Sequence, residues 1–223
     1  MSNIPSKEEM LDALVLRQGA QNVQKLQTAT VAVCGLGGLG SNVAISLARA
    51  GVGKLILIDF DTVDVSNLHR QQYKACQVGM PKTEALSQNL KEIAPYLQME
   101  THFVRMTEEN TLALVAHADV VCEAFDKPEA KAMLVNTVLE KNPEQVLVAA
   151  SGMAGFDSAN SISTRKVMKN FYLCGDGSSD VNDGVGLVAP RVMACAAHEA
   201  LTIVRILCGM ETEIAKKECE NGK

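Results

Sequence analysis

The segment VAVCGLGGLG, residues 31–40, limits the possible folds of this chain more than any other part of the sequence. A short apolar run leads directly into Gly35, Gly37 and Gly40, and a helical pattern, SNVAISLARAG, follows at once. A strand, a glycine-rich turn and a helix in this order are typical of the phosphate-binding corner of a dinucleotide-type βαβ unit. The glycines alone do not distinguish NAD, FAD, S-adenosylmethionine and ATP as the nucleotide.

Strand-like and helix-like segments alternate along the rest of the chain. The run KLILID, residues 54–59, is apolar throughout, as parallel strands buried on both faces are. Further strands are predicted in LQMETHFV, ADVVCEAF and QVLVAASG, with helical segments between them. This alternation predicts an α/β fold of the Rossmann-like, doubly wound kind, with a mostly parallel sheet. Beyond Gly152 we expect an antiparallel edge region formed by SISTRKV and NFYLC, then an apolar helix over 189–208.

A length of 223 residues favours one domain, 1–223, over two independent ones. Within it we expect an N-terminal surface helix in 1–27 and a nucleotide-binding core over 28–152. The remainder, 153–223, is expected to hold the edge hairpin, a crossover loop and the C-terminal helix.

Composition excludes several classes of protein. The formal net charge of -5 gives no reason to expect a nucleic-acid partner. The sequence lacks an apolar run long enough for a membrane span and a signal peptide at its start, so we expect a cytoplasmic protein without membrane contact. Seven cysteines, none spaced as CxxC, argue against a disulfide framework and against a four-cysteine zinc site.

Polar residues after the second predicted strand indicate the ligand. Asp59 ends that strand nineteen residues after Gly40, where this fold places a ribose-binding carboxylate, although a strand-end turn would also accept an aspartate. Asn67, Arg70, Gln71 and Lys82 follow closely. An arginine that can hold phosphate through two hydrogen bonds, together with a lysine, suggests a triphosphate, whereas either cation alone would be assigned to the solvated surface.

These residues also carry a family resemblance. The string DFDTVDVSNLHRQ, followed by GMPKTEA and preceded by GLGGLG, resembles the superfamily of ThiF, MoeB, HesA and the ubiquitin-activating enzymes, over about 28–209. The later GDGSSDVNDGVGLVAPRV resembles the short, zinc-free ThiF-like adenylyltransferases of thiamine biosynthesis. The resemblance implies a homodimeric nucleotidyltransferase that uses ATP and Mg²⁺, without zinc. Its expected partner is a ubiquitin-like sulfur carrier protein, whose C-terminal Gly-Gly carboxylate it would adenylate.

The resemblance also implies roles for individual residues. The phosphates would lie on the turn formed by Gly35, Gly37, Gly38 and Gly40, with the ribose hydroxyls on Asp59. Contacts to the triphosphate would come from Asn67, Arg70 and Lys82, while Gln71 orders the loop and Asp61 shapes it or supports the metal. Asp126 would hold Mg²⁺, unless it caps the helix that follows it. Arg17 would reach across the homodimer to the partner's ATP, unless it is a solvated helix residue.

Cys174, in FYLCGDGSS, is the candidate for a thiol that links to the carrier or passes sulfur. Such a thiol requires an accessible and electropositive setting, and adenylation itself does not require it. Three other interpretations stay open at this point: an NAD- or FAD-dependent oxidoreductase, a nucleotide-binding scaffold without catalysis, and an adenylating enzyme that acts on another carrier or on a modified tRNA nucleoside.

Overall fold

A computed structural model describes residues 4–180 and 184–210 of the chain. Its described strands form one seven-stranded sheet in the order β3-β2-β1-β4-β5-β7-β6. All neighbouring pairs are parallel except β6 and β7, which are antiparallel at the edge. The predicted α/β class and the antiparallel edge region are therefore confirmed. The strands are β1 Thr30–Cys34, β2 Lys54–Asp59, β3 Gln98–Phe103, β4 Val120–Glu123, β5 Val146–Ala150, β6 Ser163–Met168 and β7 Phe171–Gly175.

Helices cover both faces of the sheet, which explains why the central strands are apolar throughout. Alternate residues of one strand point to opposite faces, so Val31 and Val33 of β1 join one apolar cluster while Ala32 and Cys34 join the other. The helices are α1 Lys7–Gln18, α2 Ala20–Thr28, α3 Gly38–Ala50, α4 Lys82–Ile93, α5 Glu108–Val115, α6 Pro128–Lys141 and α7 Ala189–Leu207.

The N-terminal region differs from the single surface helix that we expected. It forms two helices, α1 and α2, that are separated at Gly19, whose φ angle is 82°. A residue with a side chain adopts this left-handed region at a cost, so glycine here stops α1 and lets the chain turn. The other end of α1 is fixed by a capping box between Ser6 and Glu9.

The C-terminal helix α7 packs along α3 on one face of the sheet. Its inner side carries small or medium side chains, including Cys195, Ala196 and Ala200, which let the two helices approach closely. In the described ranges, no helix is long and apolar enough to cross a bilayer.

Candidate functional site

The glycine-rich turn joins β1 to α3 at the carboxyl edge of the parallel strands. Gly35 has a φ angle of 92°, and a Cβ atom built on it would lie 2.9 Å from the Ala124 carbonyl oxygen. A Cβ on Gly40 would lie only 1.8 Å from the Gly35 carbonyl oxygen. Both positions therefore need glycine, one for its backbone conformation and one for the close approach of helix to turn.

The first turn of α3 presents backbone N–H groups at the same edge. Gly37 is the N-cap residue, and it has no side chain that could cap the first N–H groups of the helix. Backbone donors at a helix start, together with the helix dipole, favour an anion. Val192 of α7 closes this region, because its Cγ1 lies 3.1 Å from a Cβ built on Gly38.

Asp59, at the end of β2, holds the glycine turn in place. Its two carboxylate oxygens accept hydrogen bonds from the backbone N–H groups of Leu36, at 2.6 Å, and Asp61, at 2.8 Å. Burial raises the pKa of the Asp59 carboxyl, and the charge of Lys82 and these two N–H groups oppose that rise. The carboxylate therefore stands where β1 and β2 meet, in the position that this fold uses for a ribose.

Tyr73 is a site residue that the sequence did not indicate. Its hydroxyl donates a 2.7 Å hydrogen bond to the Leu36 carbonyl oxygen, so it supports the same residue of the glycine turn whose N–H is bound by Asp59. Burial, together with the charges of Asp59 and Asp61, raises the pKa of the Tyr73 phenol. Its place in the polar loop QQYKACQ carries no periodic signal that would have marked it as buried.

Lys82 is the first residue of α4, and its backbone and side chain both bind Asp61. The Lys82 N–H donates to the Asp61 carbonyl oxygen at 2.9 Å, and Nζ lies 3.0 Å from Asp61 Oδ2. The Lys82 side chain is buried, whereas that of Asp61 is half exposed. Asp61, which solvent can reach, thus holds the Lys82 ammonium group beside Asp59.

Arg70 lies across the start of α3. Its Cγ and Cδ are 3.6 Å from a Cβ built on Gly38, and Nη1 donates to the Ser66 carbonyl oxygen at 3.0 Å. Burial lowers the pKa of the Arg70 guanidinium, and the nearby Asp126 carboxylate opposes this. The Arg70 side chain therefore packs on the start of α3, and its guanidinium is close enough to Asp126 to be influenced by that charge.

Asn67 and Gln71 belong to the same loop. Asn67 Oδ1 accepts a 3.0 Å hydrogen bond from the Asp64 N–H and closes a short 3-10 turn. Gln71 is buried, with Nε2 3.9 Å from a Cβ built on Gly37, and its Oε1 has no hydrogen-bond partner among the residues that the structure describes. Both amides therefore lie in the loop that faces the glycine turn.

Asp126 is exposed and follows β4 at the carboxyl edge of the sheet. It does not cap α6, because the N-cap residue is Lys127 and that helix has no side-chain cap. Residues 4–180 and 184–210 contain no group of three or more His, Cys, Asp or Glu side chains arranged to hold a metal. One carboxylate still suits Mg²⁺, which commonly takes one or two protein carboxylates and completes its shell with water and substrate phosphates.

Arg17 is not among the residues that the structure brings together. It is exposed in the last turn of α1, and Leu14 of that helix lies against Gly51, at the end of α3 opposite to the glycine turn. The 13 residues of α3 separate its two ends by roughly 20 Å, at about 1.5 Å per residue. Arg17 therefore cannot complete the site of its own chain.

Cys174 does not have the setting that a reactive thiol requires. It lies inside β7 and is fully buried, with its Sγ near the hydroxyls of Thr164 and Thr202. Burial, followed by the charge of Glu199, raises the pKa of the Cys174 thiol to about 12. The glycine-rich segment after it suggested access to solvent, but the thiol points into the core, so we do not assign it a covalent role.

The chain matches the ThiF family over residues 11–221. It is 31% identical to the sulfur carrier protein ThiS adenylyltransferase of Escherichia coli K12 over 223 residues, which cover 98% of this chain and 86% of that protein. It is also 31% identical to the adenylyltransferase and sulfurtransferase UBA4 of Lodderomyces elongisporus over 207 residues, 89% of this chain. That match spans only 45% of the yeast protein, so the chain accounts for less than half of this relative's length.

Solved structures with the same fold include the Escherichia coli tRNA N6-threonylcarbamoyladenosine dehydratase TcdA, determined in complex with ATP. The two chains superpose with a TM-score of 0.82 at 20% sequence identity, over 93% of this chain and 98% of the other. At this level of identity the similarity supports the fold.

Proposed function

The chain belongs to the ThiF family, and from this premise we infer that it is an ATP-dependent adenylyltransferase. We propose that its substrate is the C-terminal Gly-Gly carboxylate of a ubiquitin-like sulfur carrier protein of the ThiS kind, and that it serves thiamine thiazole synthesis in the cytoplasm. The similarity to the Escherichia coli ThiS adenylyltransferase, which extends over almost the whole chain, supports this choice of carrier.

One arrangement carries the proposal: the Arg70 side chain packs on the start of α3, and the Asp126 carboxylate lies near enough to influence its guanidinium. Hydride transfer builds up no negative charge at phosphorus, so it gives no reason for both a guanidinium and a separate acid beside the glycine turn. Phosphoryl and nucleotidyl transfer do need them, because negative charge must be neutralised around the reacting phosphorus. Lys82, held beside Asp59, adds a second cation on the ribose side.

In the proposed reaction, a carboxylate oxygen of the carrier attacks the α-phosphorus of ATP. A new O–P bond forms, the bond to the bridging oxygen of the β-phosphate breaks, and pyrophosphate leaves with that electron pair. The carboxylate is already ionised at neutral pH, so no side chain has to act as a base. Arg70, Lys82 and the N–H groups of α3 hold the phosphates in line and stabilise the charge of the transition state.

The remaining candidate residues complete the proposed binding of the nucleotide. We propose that Asp59 accepts hydrogen bonds from the ribose hydroxyls, that Asn67 contacts the triphosphate, and that Gln71 orders the loop above Gly37. Asp126 would hold Mg²⁺. When bound, Mg²⁺ would neutralise negative charge on the departing pyrophosphate.

Arg17 has a role in this proposal only through a second copy of the chain. The helix that carries it has no fully buried residue, and Leu16 is 80% exposed, which favours a partner subunit on this surface. A mixture of Arg17→Ala and Arg70→Ala proteins tests the homodimer and the role of Arg17 together. Each variant alone is expected to be inactive, whereas mixed dimers contain one site with both arginines and regain activity. Absence of recovery in mixed dimers, verified by differential tagging, would contradict the role in trans.

The function is tested by ATP–pyrophosphate exchange with purified carriers that end in Gly-Gly. Exchange is expected with a ThiS-type carrier and is expected to vanish when the last two glycines are removed. The same assay with a molybdopterin-type or Urm1-type carrier, or with tRNA in place of a carrier, identifies the substrate. Exchange that depends on tRNA, or tight binding of NAD in place of ATP, would contradict the proposed substrate.

A further inference from the structure

A buried ion pair lies behind Asp126 and is not explained by nucleotide binding. Glu123, the last residue of β4, is 1% exposed, and both of its carboxylate oxygens contact Lys131 Nζ, at 3.2 and 3.0 Å. Lys131 lies on α6, and its Nζ also donates to the carbonyl oxygen of Ala150, the last residue of β5, at 3.0 Å. One ammonium group thus joins α6 to the carboxyl ends of two neighbouring strands.

The same carboxylate fixes the turn that leads to Asp126. Glu123 Oε1 accepts a 2.7 Å hydrogen bond from the backbone N–H of Phe125, two residues further on. The segment between them approaches the glycine turn closely, since a Cβ on Gly35 would lie 2.9 Å from both the Ala124 carbonyl oxygen and Phe125 Cδ1. Glu123 therefore fixes the backbone at the residue directly before Asp126.

An ion pair that served only to join these elements would cost free energy that an apolar contact would not. Removal of two charges from water costs free energy that their attraction often does not recover, and apolar side chains of similar volume frequently stabilise as well or better. Charged pairs behind a metal ligand have another use, because they fix its orientation and thereby increase its affinity for the metal.

We propose that Glu123 and Lys131 are positioning residues for Asp126, and that they hold its carboxylate where it binds the Mg²⁺ of MgATP. This inference rests on the proposed function. It concerns how the metal is held, and it assigns the pair no contact with nucleotide or carrier.

The test compares ATP affinity with and without Mg²⁺, by calorimetry on the full chain. The double variant Glu123→Gln/Lys131→Met removes both charges together, so that no unpaired charge is left in the core. It is expected to bind ATP alone as the wild type does, but to lose roughly tenfold or more of the added affinity that Mg²⁺ provides. Asp126→Asn should lose the same increment, and the triple variant should lose no more than Asp126→Asn does.

The matched control is Glu144→Gln/Lys169→Met, which removes an ion pair whose side chains are 76% and 75% exposed. It should keep the wild-type response to Mg²⁺. Thermal unfolding without nucleotide identifies variants that fail to fold. If the double variant fails, Glu123→Asp, which keeps the charge, replaces it. An intermediate loss of the ATP affinity added by Mg²⁺ is expected for that variant.

Two results would overturn the inference: a folded double variant with the wild-type gain in ATP affinity from Mg²⁺, or a triple variant whose loss is the sum of the separate losses. A wild-type chain whose ATP affinity does not respond to Mg²⁺ would also overturn it. Because these measurements need no carrier, they remain decisive if the exchange assay fails with every carrier, an outcome that would instead contradict the proposed function.

Discussion

Arg191 and Asp176 form a buried ion pair that fixes the loops beside the candidate site. Arg191 donates through Nη2 to Asp176 Oδ2, and through Nε and Nη1 to the carbonyl oxygens of Ala154, Asp157 and Ser158. Asp176 in turn accepts hydrogen bonds from the N–H groups of Ser178 and Ser179. One side chain of α7 therefore holds the segments after β5 and β7 together.

We expect Asp176→Asn to lower the free energy of unfolding by about 3–5 kcal/mol, because it leaves the Arg191 charge buried without a full partner. Chemical denaturation at neutral pH measures the change. Lys169→Met, which breaks the exposed pair with Glu144, is the control and should cost no more than about 1 kcal/mol. Equal effects of the two substitutions would contradict the assignment.

The pair of Arg191 and Asp176 also predicts that the stability of the fold decreases in acid. Burial alone would raise the pKa of the Asp176 carboxyl, but the N–H groups of Ser179 and Ser178, the Ser179 hydroxyl and Arg191 together hold it below the ordinary range. The stabilisation that it provides is therefore present above about pH 4, the pKa of an unfolded Asp, and is lost as pH falls through the folded value. The difference in unfolding free energy between wild type and Asp176→Asn should shrink below that pH.

Glu199 predicts a dependence of stability on pH with the opposite sign. It is fully buried on α7, its Oε2 has no hydrogen-bond partner in the described part of the chain, and burial raises the pKa of its carboxyl well above the ordinary value. Below about pH 4, the pKa of Glu in the unfolded chain, Glu199 is protonated in both states and its contribution to the free energy of unfolding is fully present. Above that pH the unfolded state ionises first, so the contribution falls by about 1.4 kcal/mol per pH unit until the folded pKa is reached.

Glu199→Gln removes this titration. The variant should therefore gain stability relative to the wild type as pH rises from 5 to 8, in denaturant unfolding at each pH. Glu144→Gln, at an exposed position, is the control and should leave the difference flat. Parallel pH profiles for Glu199→Gln and the wild type would show that the carboxyl is ionised in the fold.

Arg70→Ala tests the phosphate-binding arrangement. The protein should fold, because the guanidinium is only partly buried, and should lose about a hundredfold or more in carrier-dependent exchange, as expected when one donor to the transition state is removed. Arg49→Ala removes an exposed arginine at the other end of α3 and should retain full activity. Near-wild-type exchange by Arg70→Ala would remove Arg70 from the proposed mechanism.

Gly40→Ala tests the close approach of helix and turn. The new methyl group would meet the Gly35 carbonyl oxygen at 1.8 Å, so α3 must shift, and ATP affinity is expected to fall at least tenfold. Gly79→Ala is the matched control, since the position has a φ angle of 89° but open space around it. It should lose about 1–2 kcal/mol of stability from backbone strain and keep its ATP affinity.

Labelling with a thiol reagent tests the setting of Cys174. In the native protein Cys76, which is exposed, should react rapidly, whereas buried Cys174 should react only after denaturation. Peptide mapping by mass spectrometry distinguishes the two sites. Equal labelling rates would mean that β7 opens readily and would restore Cys174 as a candidate for sulfur chemistry.

The fold was predictable from sequence because its signals are local. Continuous apolar runs specify parallel strands buried on both faces, and the glycines after β1 specify the one turn that their spacing fits. The break at Gly19 was missed because the apolar spacing continues through it, and only the positive φ angle reveals the stop.

The site was predictable only in part, because burial is decided by residues far away in the chain. Cys174 lies next to a glycine-rich segment and so suggested an exposed thiol, yet α7 covers it. Tyr73 supports Leu36 across a separation of 37 residues, and the link between Glu123 and Lys131 requires α6 to turn back over β4. None of these contacts has a signature in spacing or composition.

Two adjacent residues of α7 contact different parts of the sheet edge, and this couples those parts mechanically. Val192 packs against Gly38 at the start of α3, while its neighbour Arg191 binds the loops after β5 and β7. A displacement of those loops would move Arg191 and, within less than one helical turn, Val192, which packs at the start of α3. Motion of those loops is therefore coupled to the glycine turn.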